Sequence, residues 1–236
     1  MPSHTVASFD ADLKTLDAMI TDMGERAMRS LADAAKALLE RNPSLARQVI
    51  ASDSAIDALQ HDIEERAVQT IARRQPMAVD LREVVSAIRI ASDLERVGDL
   101  AKNVAKRVIA IGEQPPPANL ASGLGMLAAR VGEQLGDVLV AYRNRDDATA
   151  MKVWEADGAV DAVFTSLFRE LLTYMMEDPR SIGFCTHLLF CAKNLERVGD
   201  HATNIAETAH FVVTGEMLAA ERPKADDSSA IELNLR

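Results

Sequence analysis

Cysteine is almost missing from this chain: Cys185 and Cys191 are the only two in 236 residues, six apart in an apolar stretch. That spacing makes neither a zinc knuckle nor a redox pair, so buried, reduced thiols are expected. Aromatic residues are scarce at 4%, and Gly and Pro are few, which disfavours a β-sandwich and favours helices packed on small and medium aliphatic side chains. No run of about 18 apolar residues exists, so no membrane-spanning helix is expected. Asp10 and Asp12 stand early and no apolar core accompanies them, so no signal peptide is expected. Positive charge is also short: 26 Lys and Arg face 36 Asp and Glu, a formal charge of −10. Phosphate neutralisation needs a concentrated basic patch, so a nucleic-acid partner is not expected. Residues 66–82 do hold four arginines, but Glu64, Glu65, Asp80 and Glu83 lie among or beside them. A solvated helix face is the expectation there. Together these shortages predict a soluble, cytoplasmic protein.

What is present is helical periodicity. Leu13, Leu16, Met19, Ile20, Met23 and Ala27 follow the three-and-four spacing of an amphipathic helix. Asn42-Pro43 breaks this first helix, with Ser44 available to start the next. The second runs to about Arg74, where Gln75-Pro76 ends it, and the third continues to about Ile111. Gly112 and the three prolines at 115–117 form the clearest linker. The pattern then restarts, with a fourth helix from about Leu120 to Tyr142, after which Arg143-Asn144 echoes Arg41-Asn42. Asp178-Pro179 ends the fifth helix, and the sixth spans about Ile182 to Val213. The expected fold is all-α, with six helices in two sets of three. The expected boundaries are 1–112, a linker at 113–118, 119–215, and a polar, disordered tail at 216–236.

The halves are related by duplication. Residues 93–105 and 194–206 share nine identities in thirteen positions at an offset of 101, centred on Leu94-Glu95-Arg96-Val97-Gly98-Asp99 and Leu195-Glu196-Arg197-Val198-Gly199-Asp200. Each copy sets carboxylates at i and i+4, followed by Asn103 or Asn204. Each also holds a glycine in mid-helix, at a cost of about 1 kcal/mol relative to Ala, which implies a close approach to the backbone. A quieter echo pairs Asp53 and Asp57 with Asp157 and Asp161 at an offset of 104.

With Glu95 at zero on a helical wheel, Asp99 falls near 40° and Asn103 near 80°, at about 100° per residue. Leu94, Val97, Ala101, Val104 and Val108 cluster opposite. The acidic face is therefore expected toward solvent or the rim of a neighbouring helix, not in a buried channel. Like charges at i,i+4 oppose a helix by a few tenths of a kcal/mol, and a hard cation would reverse that penalty. Oxygen-rich sites suit Mg, Ca, Mn and iron. Two metal sites are thus expected, one from Asp53, Asp57, Glu95 and Asp99 and one from Asp157, Asp161, Glu196 and Asp200. The bland alternative is neutralisation of the acidic pairs by Arg96 and Arg197 through surface ion pairs worth about 0–1 kcal/mol.

A di-iron oxidase would need Glu-x-x-His, but Gly98 and Gly199 follow Glu95 and Glu196 at that spacing. His201 has Leu100 as its counterpart and His61 has none, so ordinary hydrogen bonding is expected of both. No phosphate loop, nucleophile elbow or triad is found, and catalysis is not expected.

These residues resemble the PhoU family, the phosphate-transport accessory and regulatory proteins of bacteria, over roughly residues 8–216. The likeness rests on the paired Leu-Glu-Arg-Val-Gly-Asp motifs, Asn103 and Asn204, Gln75-Pro76 before Asp80-Leu81-Arg82, Asn204-Ile205-Ala206-Glu207, and Gly215. It implies two pseudo-symmetric three-helix bundles and metal binding through the eight carboxylates named above, with the ion left open among iron, Mn, Mg and Zn. It also implies negative regulation of the phosphate-starvation response, by linking the ATPase subunit of the Pst phosphate importer to a phosphate-sensing histidine kinase. Membrane contact is then indirect, through those partners, and bundles of this size are expected to pair as a homodimer. The runner-up from another class is a carboxylate-bridged metal bundle with a storage or oxidase role.

Overall fold

The structure, a computed structural model, describes residues 3–112 and 116–218. Eight α-helices follow in order: α1 (Ser3–Glu40), α2 (Pro43–Ser52), α3 (Ser54–Arg74), α4 (Val79–Ile111), α5 (Ala118–Asn144), α6 (Asp147–Glu155), α7 (Asp157–Glu177) and α8 (Ile182–Thr214). A short 3₁₀ turn, Pro179–Ser181, leads into α8. Six rods carry the fold as expected, but the second and fifth are each interrupted by one residue, Asp53 between α2 and α3 and Ala156 between α6 and α7. Residues 113–115 of the expected linker and 219–236 of the expected tail lie outside the described residues.

Local chemistry sets the rod ends. Arg41 takes a positive φ of 55°, and Asn42 then caps α2, its side chain accepting from the Leu45 N–H at 3.0 Å, with Pro43 at the first helical turn. Asn42, not Ser44, starts this helix, because the amide oxygen reaches an N–H that has no carbonyl partner inside the helix. The same device recurs after α5, where Arg145 has φ 54° and Asp146 accepts from the Thr149 N–H at 3.1 Å. The echo of Arg41-Asn42 is therefore Arg145-Asp146, two residues beyond Arg143-Asn144; it restores the offset of 104 that Asp53 and Asp157 share. Gln75 ends α3 in the left-handed region at φ 48°, ahead of Pro76.

The centre is a ring of four long rods. α1 packs on α4, α4 on α8, α8 on α5, and α5 back on α1. The broken rod α2–α3 lies across α1 and α4, while α6–α7 lies across α5 and α8. The most extensive of these packings joins the halves, α4 on α8. These two run antiparallel: Asp93 of α4 meets His201 and Asn204, while Arg107 near the other end of α4 meets His187. One continuous aliphatic core results, including Ile90, Leu94 and Val97 of the first half and Leu127, Val131 and Leu195 of the second. Each such leucine or isoleucine, fully buried, contributes roughly 1.5–3 kcal/mol. Among the described residues no helix is long and apolar enough to cross a membrane.

Residues 66–82 are less solvated than their charge pattern implied. Arg66 and Arg74 reach Asp12 of α1 at 3.7 and 3.1 Å, and the Arg82 guanidinium lies 5.9 Å from the Phe211 ring centre. A periodicity argument cannot see those partners, which come from distant parts of the chain.

Candidate functional site

Each motif glycine lets an outer rod close down on a central one. A Cβ at Gly98 would sit 3.0 Å from Ile56 Cδ1 and 3.6 Å from Asp53 Oδ1. At Gly199 it would sit 3.3 Å from both Val160 Cγ1 and Gln134 Oε1. Ile56 and Val160 are counterparts in the two halves, so the close approach inferred from sequence is a shared feature of the duplication.

The approach brings the first four carboxylates together around a lysine. Asp53, only 4% exposed, sits at the break between α2 and α3, and Asp57 follows in the first turn of α3, where the positive helix end favours it. Glu95 and Asp99 face them from α4. The Lys102 ammonium donates to Asp53 Oδ2 and, at 3.0 Å, to Asp99 Oδ1. Those two hydrogen bonds hold the ammonium above its ordinary pKa. Arg96 adds weaker contacts at 3.4 Å to Glu95 and 3.8 Å to Asp99, as the ion-pair alternative anticipated. Asp57 and Glu95 both titrate above the ordinary carboxylate range. Loss of water is the first cause in each; repulsion from Asp53 follows at Asp57, and from Asp99 at Glu95.

The second cluster is deeper. Asp157, Asp161 and Glu196 are 3%, 5% and 4% exposed. The Thr203 hydroxyl donates to Asp157 Oδ1 at 2.9 Å, and Lys193 donates to Glu196 Oε1 at 2.9 Å while lying over the Phe164 ring. Burial is the main reason that Glu196 titrates above the ordinary range, with Asp200 and Asp161 adding repulsion against the pull of Lys193. Glu196 Oε2 and both polar side-chain atoms of Gln134 are buried without a hydrogen-bond partner.

A solvent-facing or rim position does not hold for all eight carboxylates. Four of the eight carboxylates, Asp53, Asp157, Asp161 and Glu196, are buried, not turned to solvent. On α4, the helix the wheel describes, Glu95 and Asp99 do lie at the rim and Asn103 is exposed; Glu196, the counterpart of Glu95 on α8, is buried beneath α7.

The residues present do not fit a metal as they are arranged. An ammonium holds the position between Asp53 and Asp99, and another neutralises Glu196. Among the described residues no group of three or more His, Cys, Asp or Glu is disposed to hold an ion. Sequence reasoning missed Lys102, Lys193, Thr203 and Gln134. Only the lysines left a signal, at i+3 from Asp99 and i−3 from Glu196, a spacing that places opposite charges side by side on a helix. Lys102 and Lys193 are not counterparts: the duplication places Thr203 opposite Lys102 and Ser92 opposite Lys193. Each half recruits its cation from a different place.

The cysteines are as expected. Cys185 and Cys191 are free and buried, and burial pushes the Cys191 thiol up to about 12. His61 is exposed but, among the described residues, its side chain makes no hydrogen bond, and His201 is half-buried with its Nδ1 2.8 Å from Asp93 Oδ1.

Fold and site thus define a duplicated all-α protein in which matching outer rods close carboxylate clusters onto a central four-rod ring. The PhoU domain matches the chain twice, over residues 20–108 and 124–209, and the chain belongs to the PhoU family. It is 52% identical over 229 residues to a phosphate-specific transport system accessory protein PhoU homolog of Rhizobium meliloti (strain 1021), covering 97% of each. A protein of the same description from Caulobacter vibrioides (strain NA1000 / CB15N) is 50% identical over 226 residues, covering 96% of this chain and 98% of the relative. The crystal structure of PhoU from Pseudomonas aeruginosa superposes with a TM-score of 0.85 at 36% identity, covering 88% of this chain and 100% of that one. These homologues support an accessory or regulatory role in phosphate transport.

Proposed function

We propose that this chain is a cytoplasmic adaptor of phosphate uptake that represses the phosphate-starvation response. In this reading it contacts the ATPase subunit of the Pst phosphate importer and a phosphate-sensing histidine kinase, and stabilises the kinase state that leaves the response off. The observation that carries the reading is end-to-end similarity to proteins named for accessory function in phosphate-specific transport. The geometry supports binding over catalysis. Two rigid outer rods are clamped to one ring, and such a body acts by favouring one state of a partner over another. Carboxylates held by lysines are poor general bases, since their charge is already engaged. The chain acts as a homodimer and reaches the membrane only through its partners.

Deletion of the gene tests the role. Phosphate-replete cells lacking it should express the starvation response, and the wild-type gene should restore silence. An unaltered response to phosphate sinks the proposal. A pull-down from phosphate-replete cells should recover the transporter ATPase and the kinase, and sedimentation of the purified chain should give twice the monomer mass.

A further inference from the structure

The two halves diverge in charge at one pair of equivalent places on the seam between α4 and α8. At the first, Asp93 of α4 accepts from Asn204 at 3.2 Å and lies 2.8 Å from His201 Nδ1, so its charge is engaged. The duplication maps Asp93 onto Asn194, His201 onto Leu100, and Asn204 onto Asn103. The carboxylate thus becomes an amide and the imidazole an aliphatic side chain. Two further positions change sign or gain charge: Lys106 stands where the second half has Glu207, and Arg107 where it has Thr208.

The consequence is an open cleft of about 350 Å³ lined by Asn103, Lys106, Arg107, Ala110, Phe190 and Asn194. No carboxylate lines it, in a chain whose formal charge is −10. Among the described residues no ion pair joins Lys106 or Arg107 to a carboxylate. The guanidinium of Arg107 is nonetheless positioned. Its carbon lies 4.4 Å from the centre of the Phe190 ring, and Nη1 is 3.3 Å from His187 Nδ1. The ring contact and the hydrogen bond to histidine restrain it, and its other N–H groups remain for a ligand. Helix-end electrostatics do not account for the pair, since that effect is confined to the last turn and the last turn of α4 holds no basic residue.

From this divergence we infer that the Asn103–Lys106–Arg107–Asn194 cleft binds a doubly charged phosphoryl oxyanion. A planar guanidinium donates two parallel hydrogen bonds to such an anion, the ammonium supplies a second positive charge, and the two amides donate to the remaining oxygens. The inference does not rest on the adaptor role, because it is read on the isolated protein.

The test is calorimetry on the full chain at pH 8 with two probes, inorganic phosphate and phenyl phosphate, alongside the variant Lys106→Glu/Arg107→Thr, which carries the second half's residues. Lys106 is exposed and Arg107 is half-buried against α8, and thermal unfolding verifies that the variant is folded. One saturable site per chain, weakened at least tenfold in the variant, is expected. Binding of inorganic phosphate identifies a free ion as the ligand. Binding of phenyl phosphate alone identifies a phosphoryl group carried on a larger molecule. Failure of both probes to bind, or binding unchanged in the folded variant, overturns the inference. Either result leaves the genetic test of the adaptor role untouched.

Discussion

Lys102 and Glu196 each belong to an ion pair within a carboxylate cluster. Lys102 neutralises Asp53, which is buried and whose second oxygen already lacks a partner. Removing the ammonium leaves an uncompensated charge, and breaking a buried pair costs more than the pair contributes. Lys102→Met should therefore lose about 2–3 kcal/mol, somewhat below the fully buried case because the lysine is part-exposed. Adding Asp53→Asn should recover most of that loss. Urea midpoints for the two singles and the double measure the coupling, and strict additivity would show that the pair does not interact. Glu196 behaves oppositely. Its folded pKa is raised, mainly by burial, so the folded state binds the proton more tightly than the unfolded chain. Its favourable contribution is present below the unfolded value, about 4.3, and disappears as pH rises through the folded pKa. Glu196→Gln should accordingly stabilise the protein by about 1 kcal/mol at pH 7–8, since the desolvation penalty is removed. That gain should shrink as pH falls toward 4. Melting temperatures across that range check the sign, and a gain that grows on acidification contradicts it.

Helix against helix, the decisive contact is the closure of α3 onto α4. Gly98→Ala improves helix propensity by about 1 kcal/mol but drives a methyl to within 3.0 Å of Ile56 Cδ1. Overpacking in a core costs about 1–3 kcal/mol, so the single variant should lose stability. Ile56→Val removes the atom in the way, and adding Gly98→Ala on that background should be neutral or stabilising. A double variant less stable than Ile56→Val alone would show that the glycine serves something other than this approach. Element ends were the most legible part of the sequence. Asn42-Pro43, Gln75-Pro76 and Asp178-Pro179 stop helices through their own backbone and side-chain chemistry, and each stop falls where expected. The breaks at Asp53 and Ala156 carry no proline and went unseen. Both residues keep right-handed helical backbone angles, so the interruption has no strong local cause.

For the molecule as a whole, the α4–α8 seam makes two homologous halves share one core. We expect the full chain to unfold in one calorimetric transition with matching calorimetric and van't Hoff enthalpies. Two resolved transitions would mean that the bundles are independent and the seam weak. The sequence by itself determined the duplication, the helical class and the rod ends, because these depend on residues within a turn or two of one another. Tertiary structure alone decided which carboxylates lie buried, that Lys102 reaches across from α4 to Asp53, and that the diverged seam residues line one cleft. Those outcomes depend on groups brought together from 46 to 111 residues apart, as Thr203 with Asp157 and Asn204 with Asp93 illustrate. No periodicity within one helix carries information about the charge that a distant helix will set against it.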